Sequence, residues 1–316
     1  MTQAGWTLVT GGTGFIGSAV LERLKRDGIS ARGSVRNHKP PLGCFSTPAL
    51  EAVTDWRPLL NGCDTIIHTA ARVHVMQDAA SDPLAAYREV NVLATLQLAR
   101  QAVEIGVKRF VYLSSAKVNG ESTLPGRPFR ADDAPAPQDA YGISKAEAET
   151  ALRQLATITG LEVVIIRPPL VYGPGVKANF LRLMQCLRRG LPLPLGAVTR
   201  NRRSLVALDN LVDLIVTSTT HRAAANQVLL ASDGEDLSTA ALIRRLAKAM
   251  GVSAHLFPVP VWALAAGARL FGKAAVVARL CDSLQVDSSG TCALLDWHPP
   301  ITVDEGLRRT ARGSRG

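Results

Sequence analysis

Two kinds of apolar pattern alternate along the first half of the chain. WTLVT (Trp6 to Thr10) is a short apolar run that reads as a strand, and FIGSAVLERLKRDG continues as a helical pattern that stops at Gly28. ISARGSV reads as a second strand, followed further on by the strand TIIHTA and a helix from about Leu84 to Glu104. The strand RFVYLSS comes next, then a loop bearing Pro125, Pro128, Pro135 and Pro137, a helix carrying Tyr141, and the strand LEVVIIRP. Strands that alternate with helices predict an α/β fold with a doubly wound parallel sheet of the Rossmann type. Unbroken runs such as VVII suit strands covered on both faces.

The pattern loosens after about residue 170. PLVYGPG and LPLPLG read as loops, with the helix NFLRLMQCLRRG between them. From Gln227 to Pro260 a strand, the helix LSTAALIRRLAKAMG and another strand are expected. This division gives a dinucleotide-binding domain over residues 1–170 and a smaller C-terminal α/β substrate lobe over 171–316. A helix near 209–221 is expected to return to the first domain. VWALAAGARLFGKAAVVARL is the most apolar late stretch, but Arg269, Lys273 and Arg279 break it too often for a spanning helix. Buried helices are the expectation, with peripheral contact to a membrane left open.

Composition narrows the class. With 316 residues, 47% hydrophobic and 20% charged, the chain has the balance of a soluble globular protein. Cys44, Cys63, Cys186, Cys281 and Cys292 form no CxxC and no Cys/His cluster, which points to reduced thiols, a cytoplasmic setting and no metal. The N-terminus lacks the basic and apolar regions of a secretory signal. Net charge is +10, yet the cations are spread out and not interleaved with stacking aromatics. Nucleic acid is therefore not an expected partner. A diffuse positive field also suits a small anionic substrate.

TGGTGFIG sets Gly11, Gly14 and Gly17 at GxxGxxG spacing between a strand and a helix. Such a turn offers free backbone amides and the positive helix end to a pyrophosphate, and glycine permits the close approach. A dinucleotide is the expected cofactor. The second strand ends in ARGSVRN, with no acid to meet a ribose 2′-hydroxyl. Ser34 and Arg36 stand there instead, and arginine suits phosphate. NADP(H) is thus favoured, with NAD(H) possible. The expected cofactor-binding set is Gly11, Gly14, Phe15, Ile16, Gly17, Ser34, Arg36, Ala70 and Lys145.

DAYGISKAEAE puts Tyr141 and Lys145 four positions apart, on one helix face. YLSS places Ser115 at the carboxyl edge of a strand, where ligands bind in such sheets. A phenol with a pKa near ~10 is a poor base at neutral pH unless a nearby cation favours the phenolate. Ser115, Tyr141 and Lys145 are therefore the candidate catalytic residues. Tyr141 would move the proton, Lys145 would stabilise the phenolate and hold the nicotinamide ribose, and Ser115 would bind the substrate oxygen.

TGGTGFIG, NGCDTIIHTAA, the Asn91-bearing REVNVLATLQLA, YLSSAKVNGE, DAYGISKAEAE and IIRPPLVYGPG arrive in order across most of the chain. Together they resemble the extended short-chain dehydrogenase/reductases of the nucleotide-sugar epimerase/dehydratase family. The resemblance implies a UDP-sugar substrate, a C-terminal sugar-nucleotide lobe and a possible homodimer. It also places Asn179 and Arg203 near the substrate diphosphate, with Arg279 a weaker candidate for the same task.

Dehydratases of this family resemble one another in an Asp-Glu pair just after the catalytic serine or threonine. Here Ser115 is followed by Ala116 and Lys117, so dehydration is not expected. Reduction of a 4-keto sugar and 4-epimerisation with retained NAD remain. Arg36 and the SSAKVNGE segment, in which Lys117 is a candidate substrate contact, lean towards the reductase. HTAARVHVM and NRRSLV add to that leaning by their likeness to the subgroup that reduces UDP-2-acetamido-2,6-dideoxy-4-keto-hexoses for bacterial surface polysaccharide. An idle dinucleotide sensor, or a structural subunit on the same fold, is the alternative from another class. His68 is expected to be a hydrogen-bonded structural residue. His74 and Met76 fall in a loop that could line the sugar pocket.

Overall fold

The computed structural model describes residues 5–36, 40–47, 50–73, 82–124, 126–270, 272 and 274–313. His74, Met76, Pro125 and Lys273 lie outside them. In the first half, β1 (Trp6–Thr10), α1 (Phe15–Arg26), β2 (Ala31–Val35), β3 (Cys44–Ser46) and β4 (Cys63–His68) lead to α2 (Pro83–Arg88) and α3 (Ala94–Ile105). Then come β5 (Arg109–Leu113), α4 (Ala140–Thr159) and β6 (Glu162–Arg167). The second half comprises β7 (Leu170–Tyr172), α5 (Ala178–Arg188), β8 (Leu205–Ala207), α6 (Leu208–Thr220), β9 (Val228–Leu230) and α7 (Thr239–Met250). α8 (Val261–Leu270), α9 (Ala274–Cys281), α10 (Ser289–Leu295) and α11 (Val303–Gly313) complete it.

Seven strands form one sheet in the order β3-β2-β1-β4-β5-β6-β9, and every pairing is parallel. The chain reverses its direction of winding between β1 and β4, so a crevice opens at their carboxyl ends. One face of the sheet buries Val9, Ile67, Val111 and Val164 against Val20 and Leu24 of α1 and Leu211 and Ile215 of α6. The other face buries Leu8, Ile66, Phe110 and Ile165 against Leu98 of α3 and Leu152 of α4. Alternate residues of each strand thus serve opposite layers. A third core joins α5, α7 and α11 around Tyr172, Met184, Leu246 and Leu307.

Five expectations change. Leu170–Tyr172, read as loop, pairs in parallel with β8 as a separate two-stranded sheet. The strand after Gln227 joins the main sheet as β9 rather than the smaller lobe, and the strand expected near Pro260 is reduced to one bridge between Leu193 and Leu256. The helix from Leu84 to Glu104 is interrupted by a π turn, Glu89–Leu93, that buries Asn91. Finally, the apolar helices α8 and α9 are largely exposed instead of buried. No helix among the described residues is long and apolar enough to cross a membrane.

Candidate functional site

The turn after β1 is shaped by its glycines. Gly11 takes the left-handed conformation (φ 72°), and its carbonyl accepts from the Gly14 amide at 2.8 Å. A Cβ at Gly17 would stand 2.3 Å from the Gly11 oxygen, so only glycine lets the helix start this close to the strand. The first-turn amides of Phe15, Ile16 and Gly17 lie at the open helix end, where an anion is favoured. The side chains of Phe15 and Ile16 pack against the core. Ala70 lies beside Gly11, its amide donating to Thr10 Oγ1 at 3.2 Å. These features fit a dinucleotide pyrophosphate. Gly17→Ala is expected to force the turn apart and weaken nicotinamide dinucleotide binding by about tenfold or more. Calorimetric titration with NAD measures this, and wild-type affinity in the variant would separate the turn from the cofactor.

At the end of β2 the two expected contacts part company. Ser34 is buried inside the strand with its carbonyl engaged by the Gly12 amide at 3.1 Å. It is therefore not placed as a phosphate ligand. Arg36 follows the strand and is exposed.

The helix carrying Tyr141 starts sharply because Asp139 caps it, accepting from the Gly142 amide at 2.7 Å. This places Tyr141 in the first turn and Lys145 in the second, beside the residues that follow β5. The Tyr141 phenol is hydrogen-bonded to Ser115. Lys145 Nζ donates to the Leu113 carbonyl at 2.7 Å and lies 4.5 Å from the centre of the Tyr112 ring. The same nitrogen is 5.9 Å from the centre of the Tyr141 ring. Ser115, Tyr141 and Lys145 are thus brought together.

Burial pushes the Tyr141 phenol up, and Asp139 adds to that rise against the opposing bond from Ser115. Burial also pulls the Lys145 ammonium down to about 7, opposed by the charge of Glu149. Both shifts disfavour charge, so a phenolate is tolerated only beside a charged lysine.

Sequence reasoning assigned no role to Asn91 and Tyr87, which pack around this pair. Asn91 Nδ2 donates to Ser144 Oγ at 3.0 Å and to the Arg72 carbonyl at 3.1 Å, tying the loop after β4 to the first turns of α4. The lone asparagine in an apolar helical run was the available signal. Tyr87 packs edge-on against Tyr141, with ring centres 6.1 Å apart. His68 lies between Thr10 Oγ1 (2.8 Å) and Thr95 Oγ1 (3.0 Å), and burial with the nearby Lys145 charge lowers it to about 3. It is a neutral structural histidine.

The candidate substrate residues are differently placed. Lys117 Nζ donates to Glu121 Oε1 at 2.8 Å and also binds Asp139, so it is engaged within the protein. Asn179 is exposed in the first turn of α5. Arg203 is half-buried, its Nη1 donating to the Asp282 carbonyl at 3.0 Å, and desolvation lowers its pKa. Arg279 is exposed on α9, and that helix ends beside the Arg203 segment. Among the described residues no group of three or more His, Cys, Asp or Glu side chains could hold a metal ion.

The profile of the NAD dependent epimerase/dehydratase family matches residues 7–231. The chain belongs to that family. It is 49% identical over 309 residues to a UDP-glucose 4-epimerase of Vibrio cholerae, covering 96% of this chain and 94% of that one. It is 28% identical to the N-acetyl-alpha-D-glucosaminyl-diphospho-ditrans,octacis-undecaprenol 4-epimerase of Escherichia coli O157:H7, over 96% of this chain and 93% of the relative. Among solved structures, MoeE5 in complex with UDP-glucuronic acid and NAD superposes with a TM-score of 0.79 at 25% identity, covering 98% of this chain and 99% of that chain. The fold is also that of a Thermotoga maritima UDP-glucose 4-epimerase (TM-score 0.78, 21% identity, 98% of both chains). As a member of this family the chain is an NAD(P)-dependent enzyme. None of these relatives supports the NADP preference inferred from Arg36.

Proposed function

We propose that the protein is a UDP-hexose 4-epimerase that retains NAD through turnover. The observation that carries this reading is the 49% identity, across nearly the full length of both chains, to a UDP-glucose 4-epimerase. It outweighs the leaning towards net reduction that Arg36 and the SSAKVNGE segment suggested. The missing acid pair after Ser115 argues against dehydration, and the NAD in the MoeE5 complex favours NAD here.

In this reading residues 1–170 hold the cofactor and 171–316 mainly hold the nucleotide sugar, with Arg203 facing the diphosphate. A cytoplasmic homodimer is the accompanying assignment. Bound NAD supplies a hydride acceptor that later returns the same hydride. The protein's part is proton traffic and orientation. Ser115 donates a hydrogen bond to the sugar C4 oxygen. Tyr141 takes the C4 hydroxyl proton as the carbon is oxidised and gives one back after the keto sugar has turned over in the pocket. Lys145 supplies the positive charge that makes the phenolate affordable and binds the nicotinamide ribose.

A 4-ketoreductase is the second reading, favoured by the exposed Arg36 and the absence of an acid at the end of β2. The test is to incubate purified protein with UDP-glucose and no added cofactor. UDP-galactose is the expected product. No interconversion, together with NADPH oxidation on a UDP-4-keto-6-deoxy-N-acetylhexosamine, would give the function to the second reading.

A further inference from the structure

We propose that the α8–α9 hairpin seats the protein on an anionic membrane surface. From Val252 to Cys281 the sequence holds no Asp or Glu, while Arg269, Lys273 and Arg279 punctuate it. Among the described residues α8 and α9 pack chiefly on each other. Trp262 is 76% exposed, Leu270 85% and Val276 52%, and the neighbouring Phe257 and Val261 are exposed as well. Apolar side chains of this size left exposed along one helix pair and the segment before it mark a surface that something covers.

Charge selects the occupant. Arg269 is exposed at the end of α8, and no carboxylate between Val252 and Cys281 neutralises it. A second hairpin from another copy would bring cation against cation. Anionic headgroups answer both features at once, because they pair with arginine while the acyl region takes tryptophan and leucine. Each helix has ten residues or fewer, so the hairpin is of a length to lie in the interface and not to span it. An indole favours that boundary. The hairpin is firmly rooted at its end: the Leu280 carbonyl accepts from Asn201 Nδ2 at 3.2 Å and from Thr239 Oγ1 at 2.5 Å. Docking would therefore orient the smaller lobe towards the bilayer.

The experiment is co-sedimentation of the full chain with vesicles of phosphatidylcholine, with or without an equal molar share of phosphatidylglycerol. Salt-sensitive pelleting with the anionic vesicles and a blue shift of tryptophan emission are expected. Trp262→Ser with Leu270→Ser should weaken partitioning by about tenfold or more, and Arg269→Glu by about fivefold or more. Turnover of soluble UDP-hexose by these variants should match wild type. The proposal is overturned if anionic vesicles do not pellet the protein, or if the variants pellet equally. It is also overturned if the double variant converts a dimer to a monomer, or if it loses soluble turnover, because the hairpin would then be a subunit contact or a cover for the site. Arg269→Glu, an exposed charge reversal, keeps the test open if the double variant does not fold. Vesicle binding is read without reference to the reaction, so its failure is distinct from failure of the epimerase reading.

Discussion

Tyr141→Phe is expected to lower turnover by about a thousandfold while leaving the protein folded and able to bind NAD. In the proposed mechanism the phenol takes the proton from the sugar hydroxyl, and a positioned acid/base is worth roughly a hundred- to ten-thousandfold. The substitution removes one oxygen. It keeps the ring that packs against Tyr87 at 6.1 Å while removing the hydrogen bond to Ser115. Stopped assays of UDP-glucose conversion, beside circular dichroism and NAD titration, separate chemistry from folding. Lys145→Met should fall nearly as far, since burial already opposes the phenolate and the substitution removes a cation that lies 5.9 Å from the centre of the Tyr141 ring. A Tyr141→Phe protein that keeps most of its activity would end the phenolate mechanism.

The second large effect is expected behind the site. Glu149, one turn after Lys145, accepts from Arg167 Nη2 at 2.6 Å and Nε at 2.9 Å, and from Ser114 Oγ at 2.5 Å. Arg167 also donates to Asn119 Oδ1 at 3.1 Å, and both charges are almost wholly buried. One ion pair thus joins β6, α4 and the segment that presents Ser115. Removing one partner strands the other charge in a dry interior. Arg167→Met should therefore cost about 4 kcal/mol, lowering Tm by roughly 8 °C. Glu149→Leu with Arg167→Met should recover much of that loss, because neither charge is then left unpaired. Thermal unfolding of the two single variants and the double gives the coupling directly. Additive losses would mean that the two charges are not coupled as the geometry requires.

The parts of the molecule that repeat a local rule were legible in the sequence. The glycine turn was legible because Gly11 and Gly17 answer a steric demand that no other residue meets. Tyr141 and Lys145 were legible as a helical spacing, and the long apolar strands as runs buried on both faces. What stayed hidden depends on partners distant in sequence. Leu170–Tyr172 and Leu205–Ala207 are three residues each, too short for a period, and become strands only by pairing with each other. Ser34 looked available for a phosphate because sequence does not show that its side chain is sealed within the sheet. Lys117 looked free because Asp139 lies more than twenty positions away. The α8–α9 segment looked like core because an apolar helix carries no mark of whether anything lies over it.

The π turn at Glu89–Leu93 makes this part of the chain sensitive to length rather than to identity. A helix advances about 100° with each residue, so one residue removed from this turn would rotate everything before it by that angle relative to everything after. Tyr87 would swing off the Tyr141 ring, and Asn91 would leave Ser144. Leu98 and Ala102 could remain in their layer of the core all the while. The segment can therefore vary in composition along its outer face, yet a single insertion or deletion would turn one wall of the site away from the other while the sheet behind it stayed whole.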